Sequence, residues 1–162
     1  MNENYIFGKS REAAVLPMII KIFNRHIVQT TYKYATFDFY DGDYIFELKA
    51  RKTPLDKYAL IDKHKIINYH GYKNVVFLFE YLNVETRDLY YIVYDKEMFN
   101  NFETKTITNT HPHTHAKVDD IVLLIPTTLL QKIIPSDRID LPSHPLPISQ
   151  RHIYNYLIEK SK

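Results

Sequence analysis

The feature that most constrains the fold of this chain is the apolar run within Asn74–Leu82, which has the sequence VVFLF at its centre. A strand with one face in water alternates apolar and polar residues, whereas a strand covered on both faces is apolar along its length. The run therefore predicts a central strand with structure packed on each side. The chain has 162 residues, 45% of them hydrophobic, which suits one globular domain over residues 1–162.

Periodicity and turn residues place further helices and strands around this strand. Apolar residues at helical spacing predict a helix over Ser10–His26, which Pro17 either kinks or begins. The composition of Thr30–Arg51 predicts a β-hairpin, and Thr53–Asp56 predicts the start of a helix that ends at Gly71. The remaining predicted elements are strands over Leu89–Tyr94 and Ile121–Ile125, a short helix opened by Pro126, an extended loop over Pro135–Pro147 and a last helix from Ser149 to about Lys160. The order predicts an α/β (α+β) fold with a central mixed β-sheet flanked by helices.

The hairpin carries the candidate chemistry. A two-residue turn at Asp41–Gly42 is favoured because both residue types tolerate positive φ angles, and it pairs Asp38 with Ile45. Since side chains alternate along a strand, Asp38 then lies diagonally next to Glu47, with Lys49 one step further on the same polar face. A three-residue loop would instead turn Asp38 to the opposite face. A polar hairpin face that only meets water is the structural alternative.

Two carboxylates and a lysine on one face suit hydrolysis of a phosphodiester bond. Carboxylates at close range repel each other and favour a hard divalent cation such as Mg²⁺ or Mn²⁺. Such a cation polarises a phosphate and lowers the pKa of a bound water. Lys49 would orient the attacking water or offset the charge of the transition state. Asp38, Glu47 and Lys49 are therefore the predicted catalytic set.

The stretch from Asp38 to Lys49, DFYDGDYIFELK, resembles the signature of the PD-(D/E)XK nucleases. The resemblance implies a restriction-endonuclease-like αβββαβ core covering about Ser10–Leu82, and a divalent-metal-dependent DNA endonuclease of the small viral, phage or junction-resolving type. It also implies that Asp38, Glu47 and the backbone carbonyl of Leu48 bind the metal. Phe37 stands where the family name has proline.

Two outer members of the site are implied by the same resemblance. Many members of the superfamily carry a glutamate on the first helix, and Glu12 fits by order as a metal or water ligand. Its alternative is an ordinary acid in the first helical turn, which the helix dipole favours. On the predicted second helix Lys65 faces the sheet and Lys63 does not, so Lys65 is the expected phosphate contact. Its alternative is a lysine whose stem is buried and whose ammonium reaches water.

Two other sequence patterns, a histidine cluster and a basic stretch, are weaker indications of a binding site. The three histidines His111, His113 and His115 would share one face of an extended strand and could bind Zn²⁺, but their threonine-rich surroundings favour a mobile loop. Six basic residues between Lys49 and Lys65 form a local positive stretch that would suit a polyanion or simply face water.

The composition of the chain excludes several kinds of functional site. The chain has no cysteine, which rules out disulfides and thiolate chemistry, and its three glycines are too scattered for a phosphate-binding loop. No apolar segment is long enough to span a bilayer and the N-terminus lacks the plan of a secretory signal, so an intracellular protein with no membrane partner is expected. DNA as the partner is what the resemblance to the nucleases implies. A junction-resolving enzyme would require a homodimer. The alternative function is a catalytically inactive DNA-binding or structural protein that keeps the nuclease fold.

Overall fold

The computed structural model describes residues 3–31, 37–68, 74–110 and 114–141. It has an α+β fold, as expected. Its helices are α1 Glu3–Phe23, α2 Lys63–Asn68 and α3 Lys96–Asn100, and a 3₁₀ turn covers Thr127–Leu129. Its strands are β1 Val28–Gln29, β2 Phe39–Tyr40, β3 Ile45–Ala50, β4 Tyr58–Asp62, β5 Val75–Asn83, β6 Thr86–Val93, β7 Thr104–Thr110, β8 Lys117–Pro126 and β9 Gln131–Ile133.

A mixed six-stranded sheet with the order β1-β2-β3-β5-β6-β9 forms the centre of the fold. Strands β3 and β5 are parallel, and the other neighbouring strands are antiparallel. The predicted apolar strand is β5, which lies between β3 and β6 and is buried from Val75 to Tyr81. This confirms the prediction of a central strand within a mixed sheet.

The two faces of the central sheet are covered by different kinds of structure. On one face, Val15 and Ile19 of α1 pack with Phe46 and Leu78. On the other face, Phe77 and Phe79 of β5 pack against a second sheet of three strands in the order β4-β8-β7. The residues of the second sheet in this core are Ala59, Ile61, Leu123 and Ile125. The second layer is therefore largely a sheet rather than the helices that the sequence pattern suggested.

The prediction of a helix from Thr53 was wrong. Thr53–Lys57 is not helical, and the chain then forms strand β4, in which Ala59 and Ile61 are buried between half-buried neighbours. This period of two matches a strand, and it outweighs the capping signals of Thr53–Asp56 because it buries apolar side chains against the central sheet. Only the last part of the predicted helix remains, as α2.

Helix α1 is longer than predicted. It begins at Glu3 rather than Ser10, runs through Pro17 and ends at Phe23 rather than His26. Pro17 is exposed, so water can bond the carbonyl that its missing N–H leaves without a helical donor. No helix among the described residues is long and apolar enough to span a bilayer.

The C-terminal third also differs from the prediction. Thr104–Thr110 is strand β7, paired with β8, and not a mobile loop. The predicted short helix after Pro126 is the 3₁₀ turn. The end of the extended loop over Pro135–Pro147 and the last helix, Ser149 to Lys160, lie outside the described residues.

The hairpin that joins β2 and β3 does not turn at Asp41–Gly42. The register pairs Tyr40 with Ile45, and the N–H of Asp41 donates to the carbonyl of Tyr44 at 3.1 Å. The Oδ1 atom of Asp41 accepts the N–H groups of Asp43 and Tyr44 at 2.9 and 2.6 Å, which fixes this turn through a side chain. Gly42, with a φ of 95°, supplies the left-handed backbone conformation.

Candidate active site

The first carboxylate of the site, Asp38, is tied to strand β3 at two points. Its backbone N–H donates to the carbonyl of Phe46 at 3.0 Å, although the register pairs Phe46 with Phe39. Asp38 and Phe39 thus both lie opposite Phe46, which is the arrangement of a β-bulge. A bulge changes the direction in which the side chains of its strand point. The Oδ2 atom of Asp38 accepts the N–H of Leu48 at 2.8 Å. These contacts hold the half-buried Asp38 side chain next to the Glu-x-Lys segment.

The second carboxylate, Glu47, lies on β3 and is 2% exposed. Its Oε1 atom accepts a hydrogen bond from Nζ of Lys49 at 2.9 Å and another from Nζ of Lys65. Burial raises the pKa of Glu47, but the two ammonium groups outweigh burial and hold this pKa below its ordinary value. Glu47 is therefore an ionised carboxylate at neutral pH, as a buried charge with two partners can be.

The two carboxylates are shifted in opposite directions. Burial raises the pKa of Asp38 well above its ordinary value, and the charges of Glu47 and Glu12 raise it further. The N–H of Leu48 and the charge of Lys49 oppose this shift without cancelling it. A pair of acids whose pKa values are driven apart in this way is a common feature of active sites.

The two lysines extend from different elements. Lys49 follows Glu47 on β3, and Lys65 lies on α2, so the expected meeting of Lys65 with the sheet occurs although the long helix used to predict it does not exist. Burial lowers the pKa of Lys65, but Glu47 and Asp38 raise it above its ordinary value, so Lys65 is a fixed cation and not a proton acceptor. The side chains of Lys49 and Lys65 are 18% and 30% exposed, which leaves them within reach of a ligand.

Glu12 lies in the middle of α1 and is 8% exposed. The alternative that it is a first-turn acid was wrong, because α1 begins at Glu3. Its Oε2 atom accepts hydrogen bonds from Nζ of Lys9 and Nε2 of Gln29, both at 3.0 Å. Its charge acts on Asp38. Helix α1 thus brings Glu12 towards the site, while its role there stays a prediction.

The oxygen donors of the site decide whether it can hold Mg²⁺ or Mn²⁺. Among the described residues, no group of three or more His, Cys, Asp or Glu side chains is placed to hold a metal ion, so Asp38, Glu47 and Glu12 do not form a three-carboxylate cluster. Mg²⁺ usually takes one or two carboxylates and completes its shell with water. The raised pKa of Asp38 marks a place where a cation would favour ionisation. Asp38 and Glu47 thus supply the two carboxylates that such a cation can use, while the carbonyl of Leu48 as a further ligand stays a prediction.

A further buried carboxylate, Glu80, was not predicted from the sequence. Glu80 lies on β5 and is 2% exposed. Its carboxylate accepts hydrogen bonds from Nε and Nη2 of Arg11 at 2.7 and 2.8 Å. Nη1 of Arg87 donates to Glu80 at 3.2 Å and to the carbonyl of Arg51 at 3.0 Å. Because Arg11 precedes Glu12, these bonds fix the part of α1 that carries Glu12. The available signal was an acid that follows directly on an apolar run.

Two other groups lie away from the site. Asp41 and Asp43 both form ion pairs with Arg25, at 2.9 and 3.4 Å. His115 is exposed with a φ of 55°, and its predicted partners His111 and His113 lie outside the described residues.

Comparison of the chain with protein-family models, with curated proteins and with solved structures found no match. Its function is therefore inferred from the side chains of the site.

Proposed function

We propose that this protein is a Mg²⁺- or Mn²⁺-dependent endonuclease that hydrolyses phosphodiester bonds in DNA. The observation that carries the proposal is the meeting of Lys49 and Lys65 on the buried carboxylate of Glu47, next to Asp38 with its raised pKa. Side chains from strand β3, from helix α2 and from the residue directly before β2 converge here. A surface ion pair would require neither this burial nor the second lysine.

Each residue has a distinct task in this proposal. Asp38 and Glu47 would hold the divalent cation, which supplies Lewis-acid activation of the phosphate and of a bound water. Lys49 would orient the water whose oxygen attacks phosphorus while the bond to the leaving oxygen breaks and that oxygen takes up a proton. Lys65, a fixed cation, would stabilise the charge on the phosphoryl oxygens. Glu12 would act on Asp38 or on water through its charge.

The test is nicking of supercoiled plasmid DNA with Mg²⁺, Mn²⁺ or a chelator. We expect cleavage only with metal, and a loss of at least about a hundredfold in Glu47→Gln and in Lys49→Gln, the range typical of a lost transition-state contact. Glu97→Gln and Lys96→Gln on the exposed part of α3 are matched controls and should cleave as the wild type does. Full activity of both site variants would reject the assignment.

A non-catalytic DNA-binding protein with the same fold is the second candidate. It is favoured by the absence of a three-carboxylate group among the described residues and by the neutralisation of Glu47 by two lysines. A titration with Mn²⁺ followed by calorimetry distinguishes the two candidate functions. The nuclease requires Mn²⁺ binding that Asp38→Asn and Glu47→Gln abolish, whereas the binding protein retains DNA affinity with neither metal binding nor nicking. A homodimer, which symmetric cutting of a junction needs, is tested by the mass in solution.

A further inference from the structure

Gly8 occupies a position in α1 that the fold does not explain. A glycine inside a helix costs about 1 kcal/mol relative to alanine. Gly8 does not need the left-handed conformation, since the described glycine with positive φ is Gly42. A Cβ atom built on Gly8 would meet no atom within 4 Å, so close packing does not require the missing side chain either. The space beside Gly8 is open.

This space belongs to a groove that begins at the candidate active site. One wall consists of Asn4, Phe7 and Gly8 of α1, and the other runs from Leu48 to Lys52. The groove has a volume of about 450 Å³. Because Leu48 and Lys49 belong to the Glu-x-Lys segment, a chain bound at that segment could continue directly into the groove.

The charge of the groove has one sign. Its charged lining residues are Lys49, Arg51 and Lys52, and none of its lining residues is acidic. Nζ of Lys52 lies 4.9 Å from the ring centroid of Phe7 and 3.4 Å from Oδ1 of Asn4. These two partners are uncharged, so they orient the ammonium group on the groove wall without neutralising it. Such a surface suits a polyanion.

Resting on the proposed nuclease function, we propose that this groove binds a single-stranded segment of the nucleic-acid substrate next to the scissile phosphate. A volume of about 450 Å³ is that of a site for one small organic ligand, which suits a short stretch of single strand better than a whole duplex. Cationic grooves with an aromatic wall are the usual sites for single strands. Gly8 lets the sugar–phosphate chain approach the helix backbone.

The test uses a leucine to fill the groove. Gly8→Leu should keep or raise the melting temperature, because leucine favours a helix over glycine, yet weaken binding of a fluorescein-labelled oligodeoxythymidylate by about tenfold or more, measured by anisotropy without divalent metal. Ala14→Leu, on the exposed side of the same helix, should bind as the wild type does. A Gly8→Leu protein that is stable and binds the oligonucleotide normally overturns the proposal.

The contribution of Lys52 is read from salt dependence. Removing one phosphate contact to a single strand lowers the slope of log K against log salt by about 0.7. Lys52→Gln should show this reduction and Lys96→Gln should not; equal slopes in all three proteins also count against the groove. Affinity for a blunt duplex should be insensitive to Gly8→Leu, and an equal loss on duplex and single strand contradicts single-strand binding. An oligoribonucleotide arm shows whether the groove selects DNA.

The groove and the nuclease can fail separately. If wild type binds the oligonucleotide in a Gly8-dependent way but nicks no DNA with metal, the groove stands as a binding site and the enzyme assignment falls. If Gly8→Leu nicks a flapped or single-stranded DNA as fast as the wild type, the enzyme stands and the groove falls.

Discussion

Replacing Asp38 by asparagine should stabilise the metal-free protein while abolishing cleavage. Burial, Glu47 and Glu12 raise the pKa of Asp38 well above its ordinary value of 3.8. The contribution of such a carboxyl to stability is fully present below its unfolded pKa and is lost as the pH rises through its folded pKa. At neutral pH the Asp38 carboxyl, whose pKa is raised by folding, therefore destabilises the fold. Asparagine removes the charge and keeps an oxygen for the N–H of Leu48.

The size of the effect follows from the conversion between pKa and free energy. Each unit by which the folded pKa exceeds the unfolded value costs the ionised protein about 1.4 kcal/mol. In a domain of this length, 1 kcal/mol corresponds to roughly 2–4 °C in melting temperature. The loss of the attraction between Asp38 and Lys49 reduces the gain, but that attraction is already weaker than the opposing causes. Each pKa unit between the folded and unfolded states thus corresponds to about 3–6 °C in melting temperature, and Asp38→Asn should have the higher melting temperature near pH 7.

The assay is thermal unfolding followed by circular dichroism from pH 4 to pH 8 with a chelator present. The gap between Asp38→Asn and wild type should widen as the pH rises through the shifted pKa. Mn²⁺ added at a hundred times its dissociation constant should stabilise the wild type by about 2.7 kcal/mol and so raise its melting temperature. The melting temperature of Asp38→Asn should not change. A gap of the opposite sign at neutral pH, or one that does not depend on pH, would refute the electrostatic account of the site.

Further predictions concern the lysine, the second glutamate and a turn. Lys65→Met removes one cation that favours the ionised forms of both Glu47 and Asp38, so the acid limb of the pH–rate profile should move to higher pH and the rate should fall about tenfold or more. Lys63→Met on the exposed side of α2 should change neither. Glu80→Gln breaks a buried ion pair with Arg11 and should lower the free energy of unfolding in a denaturant titration by about 2 kcal/mol. This is less than for a fully buried pair because the Arg11 side chain is 26% exposed. The substitution Glu85→Gln at an exposed position should leave the stability unchanged. Val84, 88% exposed with a φ of 51° in the β5–β6 turn, is a strained β-branched residue, so Val84→Asn should raise the melting temperature by roughly 2–4 °C; an unchanged or lower value would argue against strain there.

The hairpin shows why a wrong register still led to the same site residues. The expected turn paired Asp38 with Ile45 and hence Phe39 with Tyr44, whereas the observed register pairs Phe39 with Phe46. The difference is an even number of positions, and side chains alternate with a period of two, so the assignment of residues to faces changes little. What sequence could not supply was the Asx-type bonding of Asp41 that moves the turn, or the bulge at Asp38.

The residues between β3 and β5 illustrate the opposite case. Local signals at Thr53–Asp56 favoured a helix, but the burial of Ala59 and Ile61 against the central sheet decides for a strand. Lys65 still reaches Glu47 because the short α2 is placed there by contacts with β8 and β4, which no local pattern encodes. The ion pair between Arg11 and Glu80 joins residues far apart in the chain and likewise has no local signature.

The arrangement of charges also links the two ligands of the proposed reaction. Lys49 and Lys65 both donate hydrogen bonds to Glu47, so a phosphate has to compete with that buried carboxylate for the two ammonium groups. In the proposed reaction, a divalent cation held by Glu47 would weaken the attraction of this carboxylate for the two ammonium groups, and the lysines would then be available to the phosphate. By linkage, the phosphate must then raise the affinity for the cation by the same factor. We therefore expect Mn²⁺ and a non-cleavable oligonucleotide to bind with positive cooperativity in calorimetry, and Lys65→Met to reduce that coupling more than Lys63→Met does.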